Sequence, residues 1–98
     1  MTETAFYILL SLLEPRHGYG IIQHVQAITN NRIILGAGTV YGTLKKFRQA
    51  DLIELVSATE SKKKYQVTAA GRQQLQREQQ RLQELLNNAE VLNHAEKA

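Results

Sequence analysis

A glycine-rich turn that opens directly into a short amphipathic helix is the feature that most constrains the fold of this sequence. Residues 32–47 read RIILGAGTVYGTLKKF. At about 100° per residue, Val40, Leu44 and Phe47 fall within one narrow arc of a helix. The opposite face carries a phenol, a small residue, an amide and two cations: Tyr41, Gly42, Lys45, Lys46 and Gln49. One face can therefore join a core while the other contacts DNA, although the segment alone would also fit a surface helix with solvated lysines.

Length and composition exclude several classes of protein. The chain has 98 residues and no cysteine, so it forms one domain without disulfides or a thiolate zinc site. The apolar run 5–13 is too short to span a membrane and lacks the basic leader and cleavage site of a signal peptide. We therefore expect a soluble, cytoplasmic protein without a membrane partner, and a chain of this size can gain stability from a partner subunit.

The net charge of +3 is concentrated in one part of the sequence. From Ala69 onward, four basic residues are balanced by four acidic ones, so the excess lies in residues 1–68. Two clusters dominate it: Lys45, Lys46 and Arg48 on the amphipathic helix, and Lys62, Lys63 and Lys64 further along. A local basic surface of this kind favours contact with phosphate.

The N-terminal part predicts two helices before the amphipathic one. Residues 3–13 are apolar on nearly every side, so this helix must be covered on two flanks, and Pro15 stops it. The motif His17-Gly18-Tyr19-Gly20 leads into a second helix that extends to about Thr29. Its predicted buried stripe consists of Ile21, Ile22, Val25 and Ile28. Asn30-Asn31 ends this helix because asparagine tolerates the left-handed conformation, and residues 33–35 are strand-like.

Two strand-like segments follow the amphipathic helix. Residues 52–56 and 63–67 have strand composition and partial alternation, and residues 57–61 join them as a hairpin. Thr68 then caps the N-terminus of a long helix. The order of three helices and a hairpin predicts a mainly α fold, a winged helix-turn-helix over residues 1–68. In that fold the third helix enters the major groove, and the wing lies along phosphates or the minor groove.

The last helix, from Ala69 to about Asn93, is expected to form a C-terminal dimerisation segment within the same structural unit, residues 69–98. Four leucines and an alanine occupy the a and d positions of a heptad pattern: Leu75, Leu82, Leu85, Ala89 and Leu92. Glu78 is the single violation of this pattern. Leu86 widens the stripe. A helix of about 25 residues is roughly 37 Å long, farther than the preceding domain can cover. A second copy would cover the remainder, and the alternative is a helix folded back on its own domain.

The sequence resembles the PadR-like (phenolic-acid decarboxylase regulator) transcriptional regulators, of the short type with one C-terminal helix. The resemblance covers residues 8–86, and the ordered pair of HGYG and GxGTxY motifs is its most specific part. The other matching segments are LLSLL at 9–13, LGAGTVYGTL at 35–44, DLI at 51–53, KKY at 63–65 and TAAGR at 68–72. It implies a winged helix, a dimer in which the last helix packs on the partner's first helix, and repression relieved by a ligand.

Three positions depart from the family pattern. Ala37 replaces a common proline before the recognition helix, and Gln66 replaces a frequent tyrosine. Asp51 stands in place of a common glycine, at a position that favours positive φ. None of these changes removes a group expected to face DNA.

From the helix pattern, the basic clusters and this resemblance, we predict two sets of functional residues. The predicted DNA contacts, on a palindromic operator, are Tyr19, Gly38, Thr39, Tyr41, Gly42, Lys45, Lys46, Gln49, Lys62, Lys63 and Lys64. The predicted dimerisation and effector residues are Phe6, Tyr7, Leu10, Leu75, Leu82, Leu85, Leu86, Ala89 and Leu92. Since tryptophan is absent, a small hydrophobic or aromatic effector would rely on Phe6, Tyr7 and aliphatic side chains. Such an effector needs a cavity between subunits, and a fully packed interface is the alternative.

Enzymatic interpretations have little support in the sequence. His17, His24 and His94 lack the spacing of metal ligands, and Ser11 has no nearby base in its apolar helix. The pair Gly36 and Gly38 lacks the context of a dinucleotide loop, and we assign it to a tight turn that lets the backbone approach DNA. We therefore expect no enzyme activity, metal or cofactor. The competing hypothesis is a winged helix that binds protein, but its outward face would not be as basic as this one.

Overall fold

The computed structural model describes residues 1–95 and shows a mainly α winged helix with a two-stranded antiparallel hairpin. Its elements are α1 (Glu3–Ser11), α2 (Gly18–Ile28), α3 (Ala37–Gln49), β1 (Ile53–Ala58), β2 (Lys63–Val67), α4 (Ala69–Ala89) and α5 (Val91–Ala95). The core lies where the first three helices meet the hairpin and the first half of α4. Its fully buried members are Ile8, Leu9, Leu12, Ile21, Val25 and Val40. Within residues 1–95, none of the helices has both the length and the apolar character needed to span a bilayer.

Helix α1 begins at a side-chain cap and ends earlier than the predicted 3–13. The Thr2 hydroxyl accepts a hydrogen bond from the amide of Ala5 at 3.1 Å, which satisfies one free donor of the first turn. The Ser11 hydroxyl donates to the carbonyl of Tyr7 at 2.7 Å. Ser11 is buried, so this bond satisfies a polar group that the sequence places inside an apolar helix.

Helix α2 begins at a side-chain cap, because His17 accepts a hydrogen bond from the amide of Gly20 at 3.1 Å. The connection from α2 to α3 then contains two consecutive residues with positive φ. Asn30 and Asn31 have φ values of 51° and 65°, which confirms the predicted helix end. The predicted burial of Ile28 is wrong, because its side chain is 46% exposed.

The strand-like interpretation of residues 33–35 is also wrong. These residues form no strand, and Ile34 is 68% exposed. The free edge of β2 is instead occupied by Arg16, which exchanges two backbone hydrogen bonds with Tyr65 at 2.9 and 3.1 Å. The edge of β2 that faces away from β1 is therefore closed to residues 33–35, and Leu35 alone among them is buried.

The hairpin pairs Ile53 with Val67 and Leu55 with Tyr65, followed by a bulge between Leu55 and Ser57. β2 has the predicted bounds, whereas β1 extends to Ala58, beyond the predicted 52–56. The connecting turn is closed by Thr59, whose amide donates to the carbonyl of Lys62 at 2.8 Å. The wing tip is therefore the short segment Glu60–Ser61.

The start of α4 is joined closely to the base of the wing. The Thr68 hydroxyl accepts from the amide of Gly71 at 3.1 Å and donates to the carbonyl of Asp51 at 2.7 Å. The Thr68 amide donates to the carbonyl of Leu52 at 3.0 Å. These bonds form the predicted cap and tie α4 to the segment that follows α3.

The predicted helix from 69 to about 93 is interrupted in the structure. α4 ends at Ala89, and Glu90 separates it from the short helix α5. From Gln79 to His94 every side chain is exposed, and the molecule measures 63 × 28 × 19 Å along its principal axes. The far half of α4 thus extends away from the core of its own chain.

Candidate nucleic-acid interface

Helix α3 presents the outward face predicted from its sequence. Val40, Leu44 and Phe47 are 0%, 3% and 7% exposed, which fixes the inner face of the helix. The predicted contact residues on its other sides are all exposed: Gly38, Thr39, Tyr41, Gly42, Lys45, Lys46 and Gln49. The helix ends with Asp51 at φ 57° and with the Leu52 amide bonded to the carbonyl of Phe47 at 2.9 Å. This left-handed cap explains why glycine suits position 51.

The predicted tight turn at Gly36 and Gly38 is wrong. Gly36 is the N-cap with φ −86°, and Gly38 lies inside the helix, so neither forms a tight turn that requires glycine. A Cβ built at Gly36, Gly38 or Gly42 would meet no atom within 4 Å. Gly38 and Gly42 are one turn apart and leave the helix backbone bare toward the outside. A partner can therefore approach the helix axis more closely here than over a larger side chain.

Tyr41 packs against the start of α2. A Cβ built at Gly18 would lie 2.7 Å from the Tyr41 hydroxyl oxygen and 2.8 and 2.9 Å from two of its ring carbons. Only glycine at position 18 leaves this space for the phenol. Tyr19, in the same turn of α2, is 62% exposed. Gly18 thus sets where the Tyr41 hydroxyl lies, a role that the sequence motif alone did not reveal.

The wing and α3 enclose a groove of about 490 Å³ next to Tyr41. Lys62 and Lys63 from the wing, together with Tyr19 and Tyr41, are among its lining residues. Side chains on a strand alternate between faces, so Lys63 shares the face of the buried Tyr65, and Lys64 lies on the other face. The structure brings Lys62 and Lys63 toward α3, whereas Lys64 does not line this groove.

A second groove of about 450 Å³ runs along the C-terminal half of α3, and Tyr41 and Tyr65 line both grooves. Lys45, Arg48 and Gln49 line it as well. The Arg48 guanidinium carbon lies 5.5 Å from the centre of the Tyr65 ring, within the range of a cation–π contact. Arg48 belongs to a basic cluster of the sequence but is not among the predicted contacts. Arg48 follows Tyr41 by seven residues, so both lie on one side of the helix, and this spacing was the signal in the sequence that could have identified Arg48.

A separate groove of about 380 Å³ lies between α1 and α4, and the charged residues Glu3, Glu78 and Arg81 line part of it. Phe6, Tyr7 and Leu82 form its apolar wall. Another groove, which Phe6 also lines, is lined in part by Leu10 and Leu75. Leu75 is only 6% exposed, so it belongs mainly to the core of its own chain. Leu85, Leu86, Ala89 and Leu92 are exposed and line neither groove.

Glu78 interrupts the leucine stripe of α4 with a paired charge. Its carboxylate accepts from Arg81 at 2.9 and 3.1 Å and from the Met1 amino group at 3.2 Å. The hydrogen bond from Arg81 lowers the pKa of the Glu78 carboxyl. Glu78 is therefore ionised at neutral pH although it is only 8% exposed. The heptad violation is thus satisfied within one chain.

Comparisons with known proteins give the chain a family. The model of the transcriptional regulator PadR-like family matches residues 8–77. The solved structure of a PadR-like transcription factor from Bacteroides fragilis is 30% identical, covers 94% of this chain and 88% of that chain, and has a TM-score of 0.72. A PadR-like regulator from Bacillus cereus (21% identity, 91% and 89% covered, TM-score 0.74) and one from Eggerthella lenta (21%, 91% and 80%, 0.75) share the fold. No curated protein matches the chain.

Proposed function

This chain belongs to the PadR-like family of transcriptional regulators, and from that membership we propose that it is a homodimeric repressor that binds a palindromic operator and is released by a small apolar or aromatic effector. Family membership implies DNA-binding regulation. Repression is proposed from the resemblance to the family, and the geometry of the chain supports the proposed dimer and effector site.

The observation that carries DNA binding is the outward face of α3. It combines bare backbone at Gly38 and Gly42 with the exposed cations Lys45 and Lys46. A helix with this surface can lie deep in a major groove, where base edges are distinguishable. The lysines of the wing stand beside it and supply charge for the adjacent phosphates.

The wing lysines should differ in their contribution to DNA affinity. We expect Lys63→Ala to weaken binding to specific and unrelated duplexes alike, and to make the dependence of log K on log salt shallower by about 0.9, because one phosphate contact releases fewer counterions. Lys64→Ala is the matched control, since it removes the same charge from the opposite face of the hairpin. Its effect should be smaller in both respects. Fluorescence anisotropy at several salt concentrations measures both variants.

Equal losses in the two variants would contradict the assigned orientation of β2. A wild-type salt slope in Lys63→Ala would mean that Lys63 does not contact phosphate. A wild-type chain that binds no duplex would favour the competing protein-binding function.

Dimerisation is proposed from the far half of α4. Leu82, Leu85 and Leu86 are 42%, 53% and 60% exposed in the single chain, and Leu92 is 70% exposed. A row of exposed leucines is typical of an interaction surface. A second copy of the chain would bury it and would place two α3 helices on the two halves of a palindrome.

An effector site is proposed where α1 meets α4. The groove lined by Phe6, Tyr7 and Leu82 has the size of a small-molecule site, and it borders the exposed leucines that a partner would cover. We expect apolar aromatic compounds to stabilise the folded chain, by about 2.7 kcal/mol at a concentration one hundred times Kd, and to release DNA. A thermal-shift screen coupled to a DNA-release assay measures both effects. Stabilisation without release would deny the site a regulatory role, and no stabilisation by any compound would contradict the site.

A further inference from the structure

The two grooves that meet at Tyr41 and Tyr65 form one continuous surface, which we call the wing-side trough. Lys62 and Lys63 line its wing end, and Lys45 and Arg48 line its other end. Of the charged residues along it in the described structure, these four are cationic and one, Glu60, is acidic. The trough is therefore an extended cationic surface that runs beside the recognition helix.

Two side chains that border the trough are held by their neighbours within the chain. The Tyr41 phenol occupies the space next to Gly18, where a Cβ would lie 2.7 Å from its hydroxyl oxygen. The Arg48 guanidinium lies over the Tyr65 ring at 5.5 Å. Both side chains are thus directed toward α2 and the wing.

The angular positions on α3 separate these side chains from those that face straight outward. At about 100° per residue, Gly38, Gly42 and Gln49 lie opposite the buried line of Val40, Leu44 and Phe47. Tyr41 and Arg48 lie roughly 90° from that outward line, on the side of the wing. A side chain that reads a base edge must project toward the floor of the DNA major groove. If α3 lies in that groove, these two side chains project toward the sugar–phosphate backbone at its wall.

We propose that the wing-side trough holds the sugar–phosphate backbone of one DNA strand, and that Tyr41 and Arg48 bind phosphate and do not read bases. This inference rests on the proposed DNA-binding function. Phosphate oxygens accept hydrogen bonds and carry negative charge, which suits a surface whose groups are a phenol, ammonium groups and a guanidinium. Sequence reading is then left to the rest of the exposed surface of α3, where Thr39 and Lys46 line neither groove.

Tyr41→Phe tests the inference because it removes the hydroxyl and keeps the ring that packs on Gly18. We expect the affinity for a duplex selected by the wild-type chain and the affinity for an unrelated duplex to fall by the same factor, about three- to tenfold. The salt slope should stay unchanged, since a neutral hydroxyl releases no counterions. Arg48→Ala should also weaken both duplexes alike, but with a slope shallower by about 0.9.

Thr39→Ala is the matched comparison, because it removes a hydroxyl from an exposed position of α3 that lines neither groove, and it should relax the preference at one base pair when a panel of single-base operator variants is measured. Relaxed preference at a single base pair in Tyr41→Phe or Arg48→Ala would overturn the inference. An affinity loss confined to the selected duplex would also overturn it. If the wild-type chain itself binds no selected duplex more tightly than unrelated DNA, the proposed function fails, and the inference fails with it.

Discussion

Gly71→Ala should destabilise the protein by about 2 kcal/mol net, although alanine is the better helix former. A Cβ at position 71 would lie 2.0 Å from the carbonyl oxygen of Leu52 and 3.3 Å from the Cβ of Val67. The Leu52 carbonyl is fixed by the Thr68 amide at 3.0 Å, so α4 must move away from the base of the wing. Overpacking of this kind costs about 3 kcal/mol at the upper end of its usual range. The gain in helix propensity offsets about 1 kcal/mol of that cost.

Gly42→Ala is the control because it is the same substitution inside another helix. A Cβ at position 42 would meet nothing within 4 Å, so this variant should gain up to about 1 kcal/mol from helix propensity. Urea unfolding of both variants at one protein concentration measures the difference, since the stability of a dimer depends on concentration. The two substitutions should shift stability in opposite directions. A stabilised Gly71→Ala would contradict the tight contact between α4 and Leu52.

The second large effect is expected from charges placed on the exposed leucine stripe. Leu82→Glu with Leu86→Glu should give a monomer, because each buried leucine in the proposed dimer contributes about 1.5–3 kcal/mol and two carboxylates would have to be desolvated there. Operator affinity should fall by roughly 100- to 10,000-fold, since linking two binding modules supplies that factor. Sedimentation and operator binding measure the two consequences. Both leucines are exposed in the single chain, so the two substitutions should leave the packing of its core unchanged.

Gln80→Glu with Asn87→Asp provides the control for the dimer test. These positions lie on the opposite face of α4 and add the same charge. This variant should remain a dimer with nearly unchanged operator affinity. A Leu82→Glu, Leu86→Glu chain that still sediments as a dimer and protects both half-sites would overturn the proposed assembly. Truncation after Gln80 tests the same surface by removing Leu82, Leu85, Leu86 and Leu92.

Local signals in the sequence were sufficient for most elements of the fold. The inner face of α3 follows from the helical period, because Val40, Leu44 and Phe47 must lie on one side of any α-helix. The cap at Thr68 and the positive φ of Asn30 and Asn31 follow from residue types with strong conformational preferences. Such signals act within a few residues, so they are visible without knowledge of the tertiary contacts.

The features that the sequence did not predict depend on what lies across the fold. Residues 33–35 have strand composition, but Arg16 already occupies the edge of β2. Lys62, Lys63 and Lys64 look equivalent in sequence. In the structure Lys62 and Lys63 line the groove next to α3, whereas Lys64 lies on the other face of the hairpin. The fit of Tyr41 to Gly18 joins residues from two helices. Periodicity indicates which side of an element is buried, but it does not identify the neighbour that fills the space.

The paired Glu78 divides α4 into two segments that evolution can alter independently. Up to this residue the helix packs on its own domain, with Leu75 in the core and the Glu78 carboxylate held by Arg81. From Gln79 onward every described side chain is exposed, so substitutions there leave the core of the domain unchanged. If the distal segment forms the proposed dimer, a duplicated copy of such a protein can acquire a new partner preference through this segment alone. Paralogous regulators in one cell could in this way avoid forming mixed dimers while they keep the same DNA-binding domain.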